Sequence, residues 1–119
     1  MRKLKYSFEY CCYPVWVEEV SVEKPIFENV DVDILEISSS LKKEIKDLAE
    51  IYQLTYNQED PRESEFKTWQ TFSIFANRVI FSAELLEIEL KDKFEIVFIK
   101  DYWGKIIEVS KQKIVESSI

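Results

Sequence analysis

Between Phe66 and Leu90 the apolar side chains return every third or fourth residue: Phe66, Trp69, Phe72, Phe75, Ala76, Val79, Ile80, Ala83, Leu86 and Leu90. At about 3.6 residues per turn these positions share one broad stripe, which predicts a helix over 65–91. Each large side chain on it gains about 1.5–3 kcal/mol when removed from water, so a sheet or a second helix must cover the stripe. Trp69 is expected in that core. A thinner line, Ile74, Phe81, Leu85 and Ile88, falls on nearly the opposite side. Two arrangements satisfy it. Either the helix is sandwiched and both sides are core, so that Phe81→Glu unfolds the protein, or one side meets a partner.

The rest of the chain supplies candidates for the cover. Leu4, Tyr6, Phe8, Tyr10 and Cys12 alternate with Lys3, Lys5, Ser7, Glu9 and Cys11, a period of two that predicts a strand over 3–12 with one face on the core. Pro14 ends it, because proline has no N–H to give to a ladder. Residues 15–37, acidic and carrying Pro25, read as a long, partly extended connection. Ser38 is placed as the N-cap of a first helix over 39–56, with Leu41, Ile45, Leu48 and Tyr52 on its apolar side. The short link through Pro61 makes the two helices an antiparallel hairpin. Phe94–Ile99, apolar on both faces, predicts a central strand over 94–100. Asp101-Tyr102-Trp103-Gly104 reads as a hairpin loop around the single glycine, returning in a strand over 105–110. The expectation for residues 1–119 is one α+β domain: a small, mostly antiparallel sheet, formed by the N-terminal strand and a C-terminal hairpin, packed on a two-helix hairpin.

Several chemistries lack their residues. The chain has no histidine, so Ser–His and Cys–His nucleophilic systems cannot be built and the commonest general base is missing. Cys11 and Cys12 are adjacent, a spacing that disfavours an unstrained disulfide, and they read as two reduced thiols on opposite faces of the strand. Asp31 to Glu36 lacks the glycine and ligand spacing of a calcium loop. No catalytic residue, metal or cofactor is expected, and the protein is expected not to be an enzyme. The start of the chain lacks the apolar run of a signal peptide, and no stretch reaches the roughly 18 apolar residues of a membrane span. A cytoplasmic protein without a membrane partner is expected.

The net charge of −7 is unevenly placed. Residues 16–37 hold seven acids against Lys24, and residues 59–66 hold four against Arg62, whereas 38–58 and 67–119 balance. This sign disfavours nucleic acid as a direct ligand. It suits a solvated surface, or an acidic face presented to a basic protein.

The order of pieces adds a resemblance. Cys12, Pro14 and Trp16 follow the first strand, and the capped helix start lies at Leu35 to Leu41. Then come Tyr52, Asn57-Gln58-Glu59-Asp60-Pro61, Ser64 and Phe66, and finally Leu86, Glu89 and Leu90 ahead of Phe94-Glu95-Ile96-Val97-Phe98. The chain thereby resembles small bacterial immunity proteins of contact-dependent growth inhibition and polymorphic-toxin systems. The resemblance implies a cytoplasmic inhibitor that binds one cognate toxin domain, often a nuclease acting on RNA or tRNA. With the charge map, it makes Glu18, Glu19, Glu23, Asp31, Asp33, Glu59, Asp60 and Glu63 the expected contacts. Trp16, Tyr102 and Trp103 are the expected aromatic anchors, since interface hot spots favour Trp and Tyr. A protein that is monomeric when free is expected. The alternative is an adaptor that binds a partner through Ile74, Phe81, Leu85 and Ile88.

Overall fold

Leu4 and Tyr6 are buried in the first strand, while Lys3 and Lys5 point to its other face, so the alternation read in the sequence sets one side of a sheet on the core. A computed structural model describes residues 1–19, 23, 24, 26–57, 59 and 65–118. Its elements are β1 (Arg2–Tyr6), β2 (Val15–Glu18), β3 (Phe27–Val30), a 3-10 turn (Val32–Ile34), α1 (Ser39–Leu54), α2 (Trp69–Glu89), β4 (Phe94–Val97) and α3 (Lys100–Ser117). The class is α+β, with a four-stranded sheet in the order β3-β2-β1-β4.

The sheet is mixed, which corrects the mostly antiparallel expectation. β1 pairs antiparallel with β2 and parallel with β4, where Leu4 lies opposite Ile96. The cause is the stretch 31–38. β3 ends beside Val15, and the chain then runs back along α1, burying Val32 and Leu35 and pairing Asp33 with Lys46, before it turns into α1 at Ser38. That extra pass leaves α1 running in the same direction as β3. β4 consequently arrives parallel to β1, and at the sheet edge, not at its centre.

Three expected elements are also corrected. The first strand stops at Tyr6, because the chain leaves the sheet to carry Phe8 and Tyr10 onto Tyr52 of α1. Cys11 therefore sits in a loop with φ 64°, and Gln53 holds it there. The Cys11 N–H donates to Gln53 Oε1 at 2.8 Å, and Gln53 Nε2 donates to the Glu9 carbonyl at 3.1 Å. Residues 15–37 contain the hairpin strands β2 and β3 in place of a mere connection. Residues 105–110 are helical, and Gly104 lies inside α3 with no positive φ. Trp103, Ile106, Ile107, Ser110 and Ile114 supply the helical period that buries α3 against its neighbours.

α1 and α2 run antiparallel, as the contact pairs Ser38–Glu89, Glu44–Arg78 and Tyr52–Phe75 show. Ser38 caps α1 by accepting the Leu41 N–H at 3.2 Å and is itself held by Glu89, whose carboxylate accepts its N–H at 2.6 Å. Thr68 caps α2, accepting the Thr71 N–H at 3.0 Å, so α2 starts at Trp69 and leaves Glu65 and Phe66 outside it. The buried side of α2 (Phe75, Ala76, Val79, Ala83, Leu86) meets the sheet and α1, and α2 packs most extensively along α3. Its opposite side is open: Ile74, Phe81 and Ile88 are about three-fifths exposed, at 60%, 59% and 67%, and only Leu85 is half-buried. Trp69, at the first turn, is 41% exposed, so it is not the core residue the periodicity implied.

Candidate functional site

The described acids singled out in the sequence fall at both ends of β3 and in the α1–α2 connection. Glu18, Glu19 and Glu23 lie toward the β2–β3 end of the sheet. There the Glu18 carboxylate accepts the Lys3 N–H at 3.2 Å and its carbonyl accepts from the Arg2 guanidinium. Glu19 and Glu23 are exposed and make no ion pair among the described residues. Asp31 and Asp33 lie past the other end of β3. Asp31 accepts the Asp33 N–H at 2.9 Å, and Asp33 pairs with Lys46 at 2.7 Å. The hydrogen bond from Lys46 holds the Asp33 carboxyl below the usual carboxylate range. Glu59 is exposed in the α1–α2 connection, while Asp60 and Glu63 lie outside the described residues.

The expected anchors separate in the same way. Trp16 is half-buried on the outer face of the sheet, with the Lys5 ammonium 4.8 Å from its ring centre and its Nε1–H donating to the Ser7 carbonyl at 3.2 Å. Tyr102 is 59% exposed in the first turn of α3. Trp103 is buried at 7% exposure, with its ring edge-on to Phe8 and tilted against Phe75. It belongs to the core and supports Tyr102, whose ring meets it edge-on at 5.2 Å.

Around Tyr102 the fold builds a cleft of about 450 Å³. Its walls come from four distant parts of the chain: Tyr10 of the β1–β2 loop, Tyr52 near the end of α1, Phe66 to Phe72 entering α2, and Tyr102 with Trp103 at the start of α3. Tyr10 stacks on Tyr52 at 4.6 Å and leans on Tyr56 at 5.0 Å. The Tyr10 hydroxyl lies 2.7 Å from Thr55 Oγ1. Since the threonine donates its own proton to the Tyr52 carbonyl, Tyr10 is the donor to it. Phe66 stacks on Phe72 at 4.8 Å. A second hollow of about 300 Å³, containing Glu9, shares the Tyr102 and Trp103 wall.

Apart from Tyr102 and Trp103, none of these aromatics stood out in the sequence as a binding residue. The visible signal was the spacing of Tyr52 to Tyr56 and of Phe66 to Trp69 to Phe72, which reads equally well as core. The Tyr52 phenol is pushed up to about 12, first by burial, then by the Tyr10 and Tyr102 phenols and the Glu9 carboxylate. No group of three or more His, Cys, Asp or Glu side chains able to hold a metal forms among the described residues. The arrangement can offer aromatic faces and acidic oxygens to another molecule.

A family model described as Serratia CdiI immunity protein-like matches residues 2–101. The chain belongs to this family. The match runs from the first residue of β1 to the second residue of α3, so the sheet, α1 and α2 all lie inside the immunity-protein-like region. Membership implies a protein that binds a cognate toxin protein. No curated protein matches the chain. Among the described residues, no helix of this CdiI-like protein is long and apolar enough to cross a membrane.

Proposed function

We propose that this protein is the cytoplasmic inhibitor of one toxin domain, a basic nuclease delivered by contact-dependent inhibition, and that it works by direct binding without catalysis or a cofactor. Family membership carries this reading. The charge distribution supports its finer part. A net charge of −7, with exposed carboxylates at three separate places, gives a broad negative field that steers a basic partner from long range. Glu18, Glu19, Glu23, Asp31, Asp33, Glu59, Asp60 and Glu63 are the proposed acidic contributors, with Trp16 and Tyr102 as the proposed aromatic contacts and Trp103 as the support beneath Tyr102. The inhibitor is proposed to be a monomer when free and to touch no nucleic acid.

The test uses the Glu18→Gln, Glu19→Gln, Asp31→Asn, Asp33→Asn variant together with the cognate toxin domain, sought in the reading frames neighbouring this gene. The fold should persist, because exposed ion pairs contribute about 1 kcal/mol or less. Association should slow by about tenfold in low salt, with dissociation nearly unchanged, and the gap should close as salt rises. A folded variant that associates at the wild-type rate in low salt would show that these acids are only a solvated surface.

A second reading is favoured by one observation, the exposure of Ile74, Phe81 and Ile88 at seven-residue spacing along α2. Such a ridge fits the groove of a partner helix. Binding through it would be nearly independent of salt, which separates the two readings.

A further inference from the structure

We propose that the toxin docks on the aromatic cleft at the start of α2 and α3, placing an arginine or lysine side chain against the Tyr102 and Trp69 rings. The inference rests on the proposed toxin binding and locates it. Three observations carry it. First, Tyr102 and Trp69 are 59% and 41% exposed, yet each stands on a packed ring: Tyr102 edge-on to buried Trp103, and Trp69 stacked on Phe72 at 6.5 Å. Their positions are set before a partner arrives, so little ordering remains to oppose binding. Second, the acids beside the cleft are uncommitted. Glu65 lines it, Glu9 lines the adjoining hollow and Asp101 precedes Tyr102, and none of the three makes an ion pair among the described residues. Among the described residues, Lys67 is the single cation in the lining. Third, the Tyr10 and Tyr52 rings, stacked at 4.6 Å, add two more aromatic faces to the cleft wall.

Aromatic faces flanked by carboxylates form a site for a guanidinium or an ammonium, which gains from the ring quadrupole and from the acids together. This position differs from the steering acids at the ends of β3. Losing those slows association, whereas losing the cleft speeds dissociation.

The three tryptophans provide the test, because Trp16 lies on the outer sheet face, Trp69 in the cleft and Trp103 beneath it. Indole N–H resonances of the 15N-labelled protein are followed as the cognate toxin domain is added. The Trp69 and Trp103 signals should move, whether or not the Trp16 signal on the outer sheet face moves with them. In parallel, Tyr102→Ala should dissociate about 30-fold faster, and Tyr102→Phe, which keeps the ring face, should remain within about threefold of wild type. If the toxin binds while the Trp69 signal stays fixed, or if Tyr102→Ala dissociates at the wild-type rate, the docking site is elsewhere and the immunity reading survives. If the toxin does not bind the wild-type protein, both fail. A toxin-free dimer that Tyr102→Ala turns into a monomer would assign the cleft to a second copy of this chain and overturn the proposal.

Discussion

Trp103→Ala is expected to destabilise the protein by about 3–5 kcal/mol. The indole is 7% exposed and wedged among Phe8, Phe75 and Tyr102, with ring centres 6.1, 5.7 and 5.2 Å away. Its removal leaves a cavity where the β1–β2 loop, α2 and α3 meet, and these segments cannot close together without breaking the remaining ring contacts. Urea denaturation of the purified variant measures the loss. A change below about 1 kcal/mol, the level of surface sites, would mean that α3 does not dock as described. Phe81→Glu provides the contrast. Phe81 is 59% exposed, so the charge stays in water and the variant should remain folded within about 0.5 kcal/mol.

Stability is expected to fall steeply above pH 10 because of Tyr6. Its ring is 2% exposed and its hydroxyl lies 2.7 Å from Ser82 Oγ. Ser82 donates its proton to the Val79 carbonyl at 2.7 Å, which leaves Tyr6 as the donor to Ser82. Burial raises the Tyr6 phenol well above its usual range, the Ser82 hydrogen bond opposes that in part, and the Glu44 charge adds to it. The folded chain thus keeps a proton that the unfolded chain loses above about pH 10. Stability is therefore complete below that pH and declines above it by up to about 1.4 kcal/mol per pH unit, until the folded phenol itself ionises. Tyr6→Phe should remove its own share of the alkaline slope, about half between pH 10 and 12, the rest belonging to the Tyr52 phenol, which is also pushed up, to about 12. It should cost about 1 kcal/mol at neutral pH, since Ser82 keeps its bond to Val79. Denaturation curves for both proteins from pH 9 to 12 decide it, and equal slopes would contradict the assignment.

Local signals carried as far as local physics reaches. The Leu4 and Tyr6 alternation, the Ser38 cap and the stripe from Phe75 to Leu86 each describe one element and its own solvent boundary. The sheet order is different in kind. It depends on the return of residues 31–38 along α1, and nothing within Asp31 to Ser38 states a direction. α3 was hidden by its glycine. Gly104 marks a turn when read alone, but the spacing of Trp103, Ile106, Ile107 and Ser110 outweighs a helical glycine, whose cost is about 1 kcal/mol. At the candidate site the charge excess was legible, whereas its division among three places follows from the hairpin β2–β3, whose strands are only four residues long. The aromatic cleft could not be read, because Tyr10, Tyr52, Phe66 and Tyr102 come together only when four separate segments are folded.

On the proposed function, this chain silences a toxin by occupying it. It is measured by titrating the purified cognate toxin domain with the purified protein, following complex formation by calorimetry and toxin activity in the same samples. A one-to-one complex with a Kd of about 10 nM or tighter is expected, with activity disappearing at equivalence. Toxin that stays fully active in excess folded protein, with no heat of binding, would contradict it.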